Sequence, residues 1–166
     1  MSNKKEQVII IGIDPGTRTT GYGVIRCVGN GYETLDFGCI RPPAKLDLND
    51  RYLIIFEAIE ELITRHNPHE LAIETQYVQK NVQSALKIGM ARAVVIVAAR
   101  KRGITVHEYT PSTAKKALTG NGNASKYQVQ GMAQRVLNLT SPPTPEDAAD
   151  ALCLAICHAQ RKNNKF

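Results

Sequence analysis

The chain has 166 residues, 43% of them hydrophobic, and carries a formal net charge of +6 with a pI of about 9.2. This length predicts a single domain over residues 1–166, with loose ends only at residues 1–6 and 162–166. No run of about 18 apolar residues suggests a membrane span, and the apolar run after MSNKKEQ is too short for a secretory signal, so we expect a cytoplasmic protein with no membrane partner.

The positive charge favours an anionic partner, with nucleic acid first among the candidates. The four cysteines include no CxxC pair, and Cys153 and Cys157 lie four residues apart in an apolar helical stretch, which predicts reduced, buried thiols. The four histidines are scattered along the chain, so we expect no zinc site.

The first part of the chain predicts three strands. Residues 8–14, VIIIGID, form a continuous aliphatic run typical of a strand that is buried on both faces. Residues 21–28 and 32–40 predict two further strands, joined at the turn sequence Gly-Asn-Gly of residues 29–31.

Helices and strands then alternate. Asn49 or Asp50 is the predicted N-cap of a helix that stops before Pro68, and residues 70–74, ELAIE, predict a short strand. A long helix over residues 82–102 is expected to end at Gly103, and residues 104–109 predict a fifth strand.

Three helices close the chain. Residues 112–119 and 126–137 predict two helices on either side of the loop at residues 120–124. Thr144 is the predicted cap of the last helix, with Pro145 at its first position and its end near Gln160. The order β-β-β-α-β-α-β-α-α-α predicts an α/β fold in which helices flank a mixed sheet.

Acidic residues occur where elements end or begin. Asp14 ends the first strand, Glu74 ends the fourth, and Asp147 and Asp150 lie three residues apart on the last helix, so that they share a face. Alternatively, Asp14 accepts hydrogen bonds in the turn Pro15-Gly16, and Asp147 completes the cap that Thr144 begins. Capping accounts less well for Asp150, which lies one turn deeper among small residues that allow a close approach to the sheet.

A meeting of these four carboxylates requires compensating positive charge. Oxygen ligands favour Mg²⁺, whereas zinc favours His or Cys. Two such ions, about 3.5–4 Å apart, can support phosphodiester hydrolysis.

Three segments together resemble the signatures of the RuvC family of bacterial Holliday junction resolvases, and the resemblance covers residues 8–160. They are GIDPGTRTTGYGVI, AIETQYVQKNVQSALKIGMARAVVIVAA and EDAADALCLAI. The resemblance implies an RNase H-like fold with a mixed five-stranded sheet, and a homodimer that makes paired symmetric nicks in four-way DNA junctions. It also implies work with the RuvA–RuvB branch-migration complex.

The family's metal-binding catalytic acids fall on Asp14, Glu74, Asp147 and Asp150. The resemblance implies Mg²⁺ as the cofactor, with Mn²⁺ able to substitute and two ions per active site during catalysis. The family's aromatic residue at the junction centre corresponds to Tyr77, where the family commonly has Phe, and the neighbours of Tyr77 also depart from the usual apolar run.

Basic positions that contact DNA in the family match Lys115 and Lys126, and Lys80 is a further candidate; without the family, each is an ordinary solvated lysine. The helix over residues 82–102 carries more apolar surface than one sheet needs. In the family it packs against its twin, which predicts a dimer face that includes Leu86, Met90 and Val94 or their near neighbours.

Three other interpretations compete with this one. Actin-like ATPases and sugar kinases also place Asp-x-Gly-Thr after a first strand, but they need two such domains and over 300 residues. A junction-binding module without catalysis would lack one of the four acids, and none is missing here. A related nuclease of the same fold with another nucleic-acid substrate is left open.

Overall fold

The computed structural model describes residues 7–75 and 81–163. Within them, five strands and five helices follow one another in the predicted order. The strands are β1 (Ile9–Asp14), β2 (Thr20–Val28), β3 (Gly31–Ile40), β4 (Glu70–Glu74) and β5 (Thr105–Tyr109). The helices are α1 (Leu48–His66), α2 (Val82–Lys101), α3 (Pro111–Thr119), α4 (Lys126–Val136) and α5 (Glu146–Asn163).

The strands form one mixed sheet in the order β3-β2-β1-β4-β5. β1, β2 and β3 make an antiparallel meander, while β4 pairs parallel with β1, and β5 pairs parallel with β4. The left-handed φ of 59° at Gly29 forms the turn between β2 and β3, as the Gly-Asn-Gly sequence predicted. The predicted α/β fold with a mixed sheet is thereby confirmed.

Side chains of β1 alternate between two hydrophobic cores, one on each face of the sheet. Ile10 contributes to the core beneath α3, α4 and α5, and Ile11 and Ile13 contribute to the core beneath α1 and α2. All three isoleucines are fully buried. A strand covered on both faces accounts for the continuous aliphatic run.

Helix α5 lies unusually close to the sheet because glycines face it. A Cβ placed on Gly12 would lie 2.0 Å from the carbonyl oxygen of Ala151, and one on Gly21 would lie 2.0 Å from that of Asp147. Gly12 pairs with Gly23 in the β1–β2 ladder, and a Cβ on Gly23 would also clash with the helix, at Leu152. The small residues on the helix and the glycines in the sheet together allow this approach.

Helix α2 buries one side against the sheet and exposes apolar residues on the other. Ala91, Val95, Ala98 and Ala99 are buried, whereas Val82, Leu86, Met90 and Val97 each expose more than half of their surface. Val94 packs partly into the core. By length and composition this helix could cross a membrane, although the sequence predicts no such span; core helices of soluble proteins meet the same criteria.

Several predicted ends were displaced. The N-cap of α1 is Asp47, whose side chain accepts from the Asp50 N–H, and not Asn49 or Asp50. Helix α5 begins at Glu146, because the Pro145 carbonyl accepts its first hydrogen bonds from the N–H groups of Ala148 and Ala149.

At the other end of α5, the helix continues to Asn163 instead of stopping near Gln160. The expected loose end was therefore wrong at residues 162 and 163, while residues 1–6 and 164–166 lie outside the described part of the chain. Cys153 and Cys157 are buried as predicted, and Cys27 and Cys39 are half-buried.

Candidate functional site

Asp14 and Glu74 lie side by side at the same edge of the sheet. The parallel register pairs Ile13 of β1 with Ile73 of β4, so the next residue of each strand is an acid. Alternation puts Asp14 on the same face as Gly12, and Glu74 on the same face as Ala72, which is the face that α5 covers. The adjacency of β1 and β4 therefore brings both carboxylates beneath one helix.

The turn after Asp14 is held by Thr20. The Gly16 N–H donates to the Thr20 hydroxyl oxygen at 3.2 Å, and that hydroxyl donates to the Gly16 carbonyl at 2.7 Å. The Gly16 N–H is the donor that a turn built on the Asp14 side chain would use. Because Thr20, which is fully buried, takes that bond, the turn does not require the carboxylate of Asp14.

Asp147 and Asp150 reach the same region from the start of α5. The backbone of Asp147 lies against Gly21, which is the β2 partner of Asp14 in the sheet. Asp150 lines a cavity of about 160 Å³ together with Asp14 and Glu74. The structure thus brings the four acids together, with Asp147 beside the cavity and the other three in its wall.

The remaining cavity wall comes from α3 and α5. It consists of Pro111, Ala114, Lys115 and Cys153. One water occupies about 30 Å³ of liquid, so the cavity has room for hydrated ions or for part of a phosphate group. Lys115, predicted as a DNA contact, is therefore also a residue of the cavity wall.

The carboxylates hold one another in an unfavourable electrostatic state. Burial, followed by the charges of Glu74, Asp150 and Asp147, raises the pKa of Asp14 from 3.8 to about 8. Burial also raises the pKa of Asp150, although Lys126 and Lys115 oppose the change. Because these carboxylates favour protonation without a bound cation, a divalent cation would stabilise their charged form. The oxygen ligands suit Mg²⁺.

Lys126 lies at the rim of this site. Its ammonium group donates to Glu146 at 2.6 Å, and this bond, together with Asp150 and Asp147, raises the pKa of the lysine. Both partners are at least half exposed, so the pair is an ordinary surface ion pair. A phosphate that approaches the acids can therefore displace Glu146 from Lys126 at little cost.

Two predicted DNA contacts, Tyr77 and Lys80, lie outside the described residues. They fall between Thr75, whose N–H donates to the Tyr109 carbonyl at 2.8 Å, and Asn81, the N-cap of α2. The bond from Thr75 ties the chain directly after Glu74 to the end of β5. Thr75 therefore lies at the edge of the acidic site.

Sequence reasoning missed several residues that build the site. Thr20 and the three sheet glycines carry no chemistry that a motif search would register. The sequence predicts Cys153 only as a buried thiol, and the ion pair of Glu146 with Lys126 appears only in the structure. The sequence does contain one indication of the role of the glycines. Gly12, Gly21 and Gly23 interrupt strands made mainly of larger, often β-branched residues, which is typical of a close approach by another backbone.

Acids from adjacent parallel strands and a covering helix, on a mixed sheet with this order, define the class of RNase H-like metal-dependent nucleases. The family model described as "Crossover junction endodeoxyribonuclease RuvC" matches residues 10–158, and the chain belongs to that family. The RuvC of Protochlamydia amoebophila is 64% identical over 160 residues, which cover 96% of this chain and 94% of the relative. The RuvC of Ruminiclostridium cellulolyticum is 44% identical over 151 residues, which cover 91% of each chain.

Solved structures agree with the sequence relatives. Thermus thermophilus RuvC in complex with a Holliday junction substrate is 32% identical, with a TM-score of 0.89 over 95% of this chain and 96% of that chain. The yeast mitochondrial resolvase Ydc2 has a TM-score of 0.66 at 14% identity, over 94% of this chain and 82% of that chain, and shares the fold. The family and the RNase H-like fold predicted from the three sequence segments are confirmed.

Proposed function

We propose that this protein is a crossover junction endodeoxyribonuclease that resolves four-way DNA junctions in recombination and repair by hydrolysing phosphodiester bonds. The observation that carries the proposal is the meeting of the four acids beneath α5 in a chain that belongs to the RuvC family. A Thermus relative of the same fold has been solved with a Holliday junction substrate, which supports four-way junction DNA as the substrate of this chain.

Asp14, Glu74, Asp147 and Asp150 would hold the metal, with Mg²⁺ as the physiological ion, Mn²⁺ as a substitute and two ions during catalysis. Bound divalent ions neutralise the carboxylates, lower the pKa of the attacking water and stabilise the leaving oxygen. The protein's own contribution is to hold the carboxylates in a fixed position. Asp14 is set by the turn that Thr20 closes, and α5 is set by its contact with the sheet glycines.

Lys115 and Lys126 would bind the phosphates on either side of the bond that is cut. Lys115 lines the cavity and Lys126 stands at its rim, so the two lysines approach the acids from α3 and α4. Lys80 would add a further phosphate contact, and Tyr77 would stack on a base at the junction centre. Phosphate contacts of this kind supply affinity and position but no sequence preference.

The exposed apolar side of α2 would bind a second copy of the chain. Val82, Leu86 and Met90 are spaced by four residues and are 60%, 63% and 53% exposed, while Val97 extends the same stripe and is 57% exposed. The predicted face thus keeps Leu86 and Met90, and Val97 replaces the partly buried Val94. A two-fold dimer would place two acidic sites for paired symmetric nicks. We also infer, from family membership alone, work with the RuvA–RuvB complex in the cytoplasm.

Cleavage of matched substrates tests the proposal. The protein is incubated with labelled four-way junction, linear duplex of the same sequence or RNA–DNA hybrid, each with Mg²⁺ and with EDTA. We expect paired nicks in the four-way junction and in neither of the other substrates. The nicks should appear with Mg²⁺ and not with EDTA. Preferential cutting of the hybrid would indicate instead a different nuclease of the same fold.

A further inference from the structure

A second group of ligand atoms lies on the α5 face of the sheet, at the end opposite the acidic site. Glu70, His107 and His158 each offer one atom, and these atoms all lie within 4.8 Å of one another. Glu70 begins β4, four residues before Glu74, which is about 13 Å along a strand. His158 follows Asp150 by eight residues, about 12 Å along α5. The two groups are therefore separate sites that share the same two elements.

One oxygen of Glu70 is the common point of the cluster. Glu70 Oε2 forms a hydrogen bond with His158 Nε2 and lies 3.4 Å from His107 Nε2. The other oxygen, Oε1, accepts from the Lys162 ammonium group. Burial alone would raise the pKa of Glu70, but the bonds from Lys162 and His158 lower it below its usual value, so this carboxylate is ionised at neutral pH.

The hydroxyl of Tyr109 can pair with either neutral tautomer of His158 without a movement of the ring. The Tyr109 hydroxyl lies 2.6 Å from His158 Nδ1, and His158 is 4% exposed. While Nε2 carries the proton shared with Glu70, Nδ1 accepts from the hydroxyl. In the other neutral tautomer the ring proton is on Nδ1, Nε2 has a free lone pair, and Nδ1–H donates to the same oxygen, because a hydroxyl group both donates and accepts.

We propose that Glu70, His107 and His158 form a binding site for a transition-metal ion of the zinc class. Two imidazole nitrogens and one carboxylate oxygen suit Zn²⁺, Co²⁺ or Ni²⁺, and suit Mg²⁺ poorly. The ion binds Nε2 of the neutral tautomer of His158 that carries its one proton on Nδ1, so the ring stays neutral and releases no net proton. Expectation from sequence alone had excluded zinc, because the histidines at positions 107 and 158 meet only through the packing of β5 against α5.

One distance within the cluster already fits such an ion, and the other ligand pairs must adjust. Zinc–nitrogen and zinc–oxygen bonds of about 2.0–2.2 Å place neighbouring ligands of a tetrahedron about 3.3–3.5 Å apart. The separation of 3.4 Å between Glu70 and His107 already meets this value. The bond between Glu70 and His158 would have to open by about 0.5 Å from an ordinary hydrogen-bond distance.

The cluster is open to solvent on one side, and Lys162 holds its carboxylate. The side chain of His107 is 36% exposed, which leaves solvent at one side of the cluster for a water as fourth ligand. Lys162 occupies Oε1 and thereby leaves Oε2 for the metal. The ion would connect β4, β5 and α5, of which β4 also carries Glu74 and α5 also carries Asp150, and would act as a structural clamp.

Zinc binding is measured on protein without a polyhistidine tag and with the acidic site removed by Asp14→Asn and Asp150→Asn. Calorimetry should show one Zn²⁺ per chain, and Co²⁺ should give the visible absorption of a tetrahedral nitrogen–oxygen site. In this background His107→Gln, at the most exposed of the three ligands, should weaken Zn²⁺ binding at least about tenfold. Cys27→Ser, which removes a nearby thiol, should leave the affinity unchanged.

His158→Gln and Glu70→Gln should have the same effect as His107→Gln. If the buried His158 variant fails to fold, His107→Gln alone decides. The proposal is overturned if the doubly substituted protein binds no Zn²⁺, or if His107→Gln binds it as tightly as its parent. Since the acidic site is absent from every protein compared, neither result depends on the proposed nuclease activity.

Discussion

Replacing Asp14 by Asn should make the metal-free protein more stable at alkaline pH. A shift of one pKa unit corresponds to about 1.4 kcal/mol, so the rise of the Asp14 pKa from 3.8 to about 8 sets an upper limit of about 6 kcal/mol. Water reaches the cavity and the four acids share their repulsion, so we expect a gain of about 2–4 kcal/mol at pH 8. For a chain of this size the gain corresponds to roughly 4–16 °C in Tm.

The sign follows from proton binding. Between pH 3.8 and about 8 the folded state holds a proton on Asp14 that the unfolded chain has lost, so the wild type loses stability as pH rises through this range. Below pH 3.8 the carboxyl is protonated in both states and the penalty disappears. The advantage of Asp14→Asn should therefore be largest at pH 8 and above, and should shrink as pH approaches 4.

Thermal unfolding in EDTA at pH 5, 6.5 and 8 measures this difference. Glu57→Gln is the matched control, because it removes one negative charge from an exposed position on α1, across the sheet from the acidic site. Addition of Mg²⁺ at pH 8 should raise the Tm of wild type more than that of Asp14→Asn. An Asp14→Asn protein that is no more stable than wild type at pH 8, or whose difference does not vary with pH, would refute the electrostatic reasoning.

Three further substitutions probe the packing, the dimer and the DNA contacts. Gly12→Ala should lower the free energy of unfolding by about 1–3 kcal/mol and reduce cleavage, because its Cβ would meet the α5 backbone. Its control, Gly131→Ala on α4, meets no neighbouring atom and should raise the free energy of unfolding by about 0.5–1 kcal/mol, as measured by calorimetry. Leu86→Glu should yield monomers by sedimentation, and Leu53→Glu, a similarly exposed leucine on α1, should not; a dimeric Leu86→Glu would place the interface elsewhere. Lys126→Ala should weaken junction binding and reduce its log–log salt dependence by about 0.9, and an unchanged slope would show that Lys126 meets no phosphate.

The order of the elements and the mixed character of the sheet followed from local patterns. Three features depend only on residues that are near one another in sequence, and the sequence therefore reveals them. They are the aliphatic run of β1, the Gly-Asn-Gly turn, and the acid at the end of each of two strands. The sequence placed Asp14 and Glu74 at strand ends, but their adjacency depends on the parallel pairing of β1 with β4, which only the structure shows.

Features that depend on distant residues could not be predicted. The capture of the Gly16 N–H by Thr20 and the seating of α5 on Gly12, Gly21 and Gly23 arise only when the strands pair and the helix docks. The start of α5 was displaced from Pro145 to Glu146 for a similar reason, since the capping pattern of Thr144 describes a helix without its tertiary contacts.

The His–Glu cluster shows the same limit more clearly. Residues 70, 107 and 158 lie far apart in sequence, and none carries a motif. They meet because the register of β4 against β5 pairs Ala72 with His107, and His158 of α5 stacks on His107. A ligand set that is assembled from three elements leaves no spacing for sequence analysis to detect.

The most direct test of the acidic site compares cleavage and binding in one variant. Asp14→Asn and its control Glu57→Gln are assayed on the same four-way junction, for cutting with Mg²⁺ and for affinity in EDTA. We expect Asp14→Asn to abolish cutting while it binds the junction at least as tightly as wild type, because it removes a metal ligand and a negative charge but no phosphate contact. Glu57→Gln should cut and bind like wild type. Cutting by Asp14→Asn at the wild-type rate would contradict the assignment of the four acids as the metal-binding catalytic site.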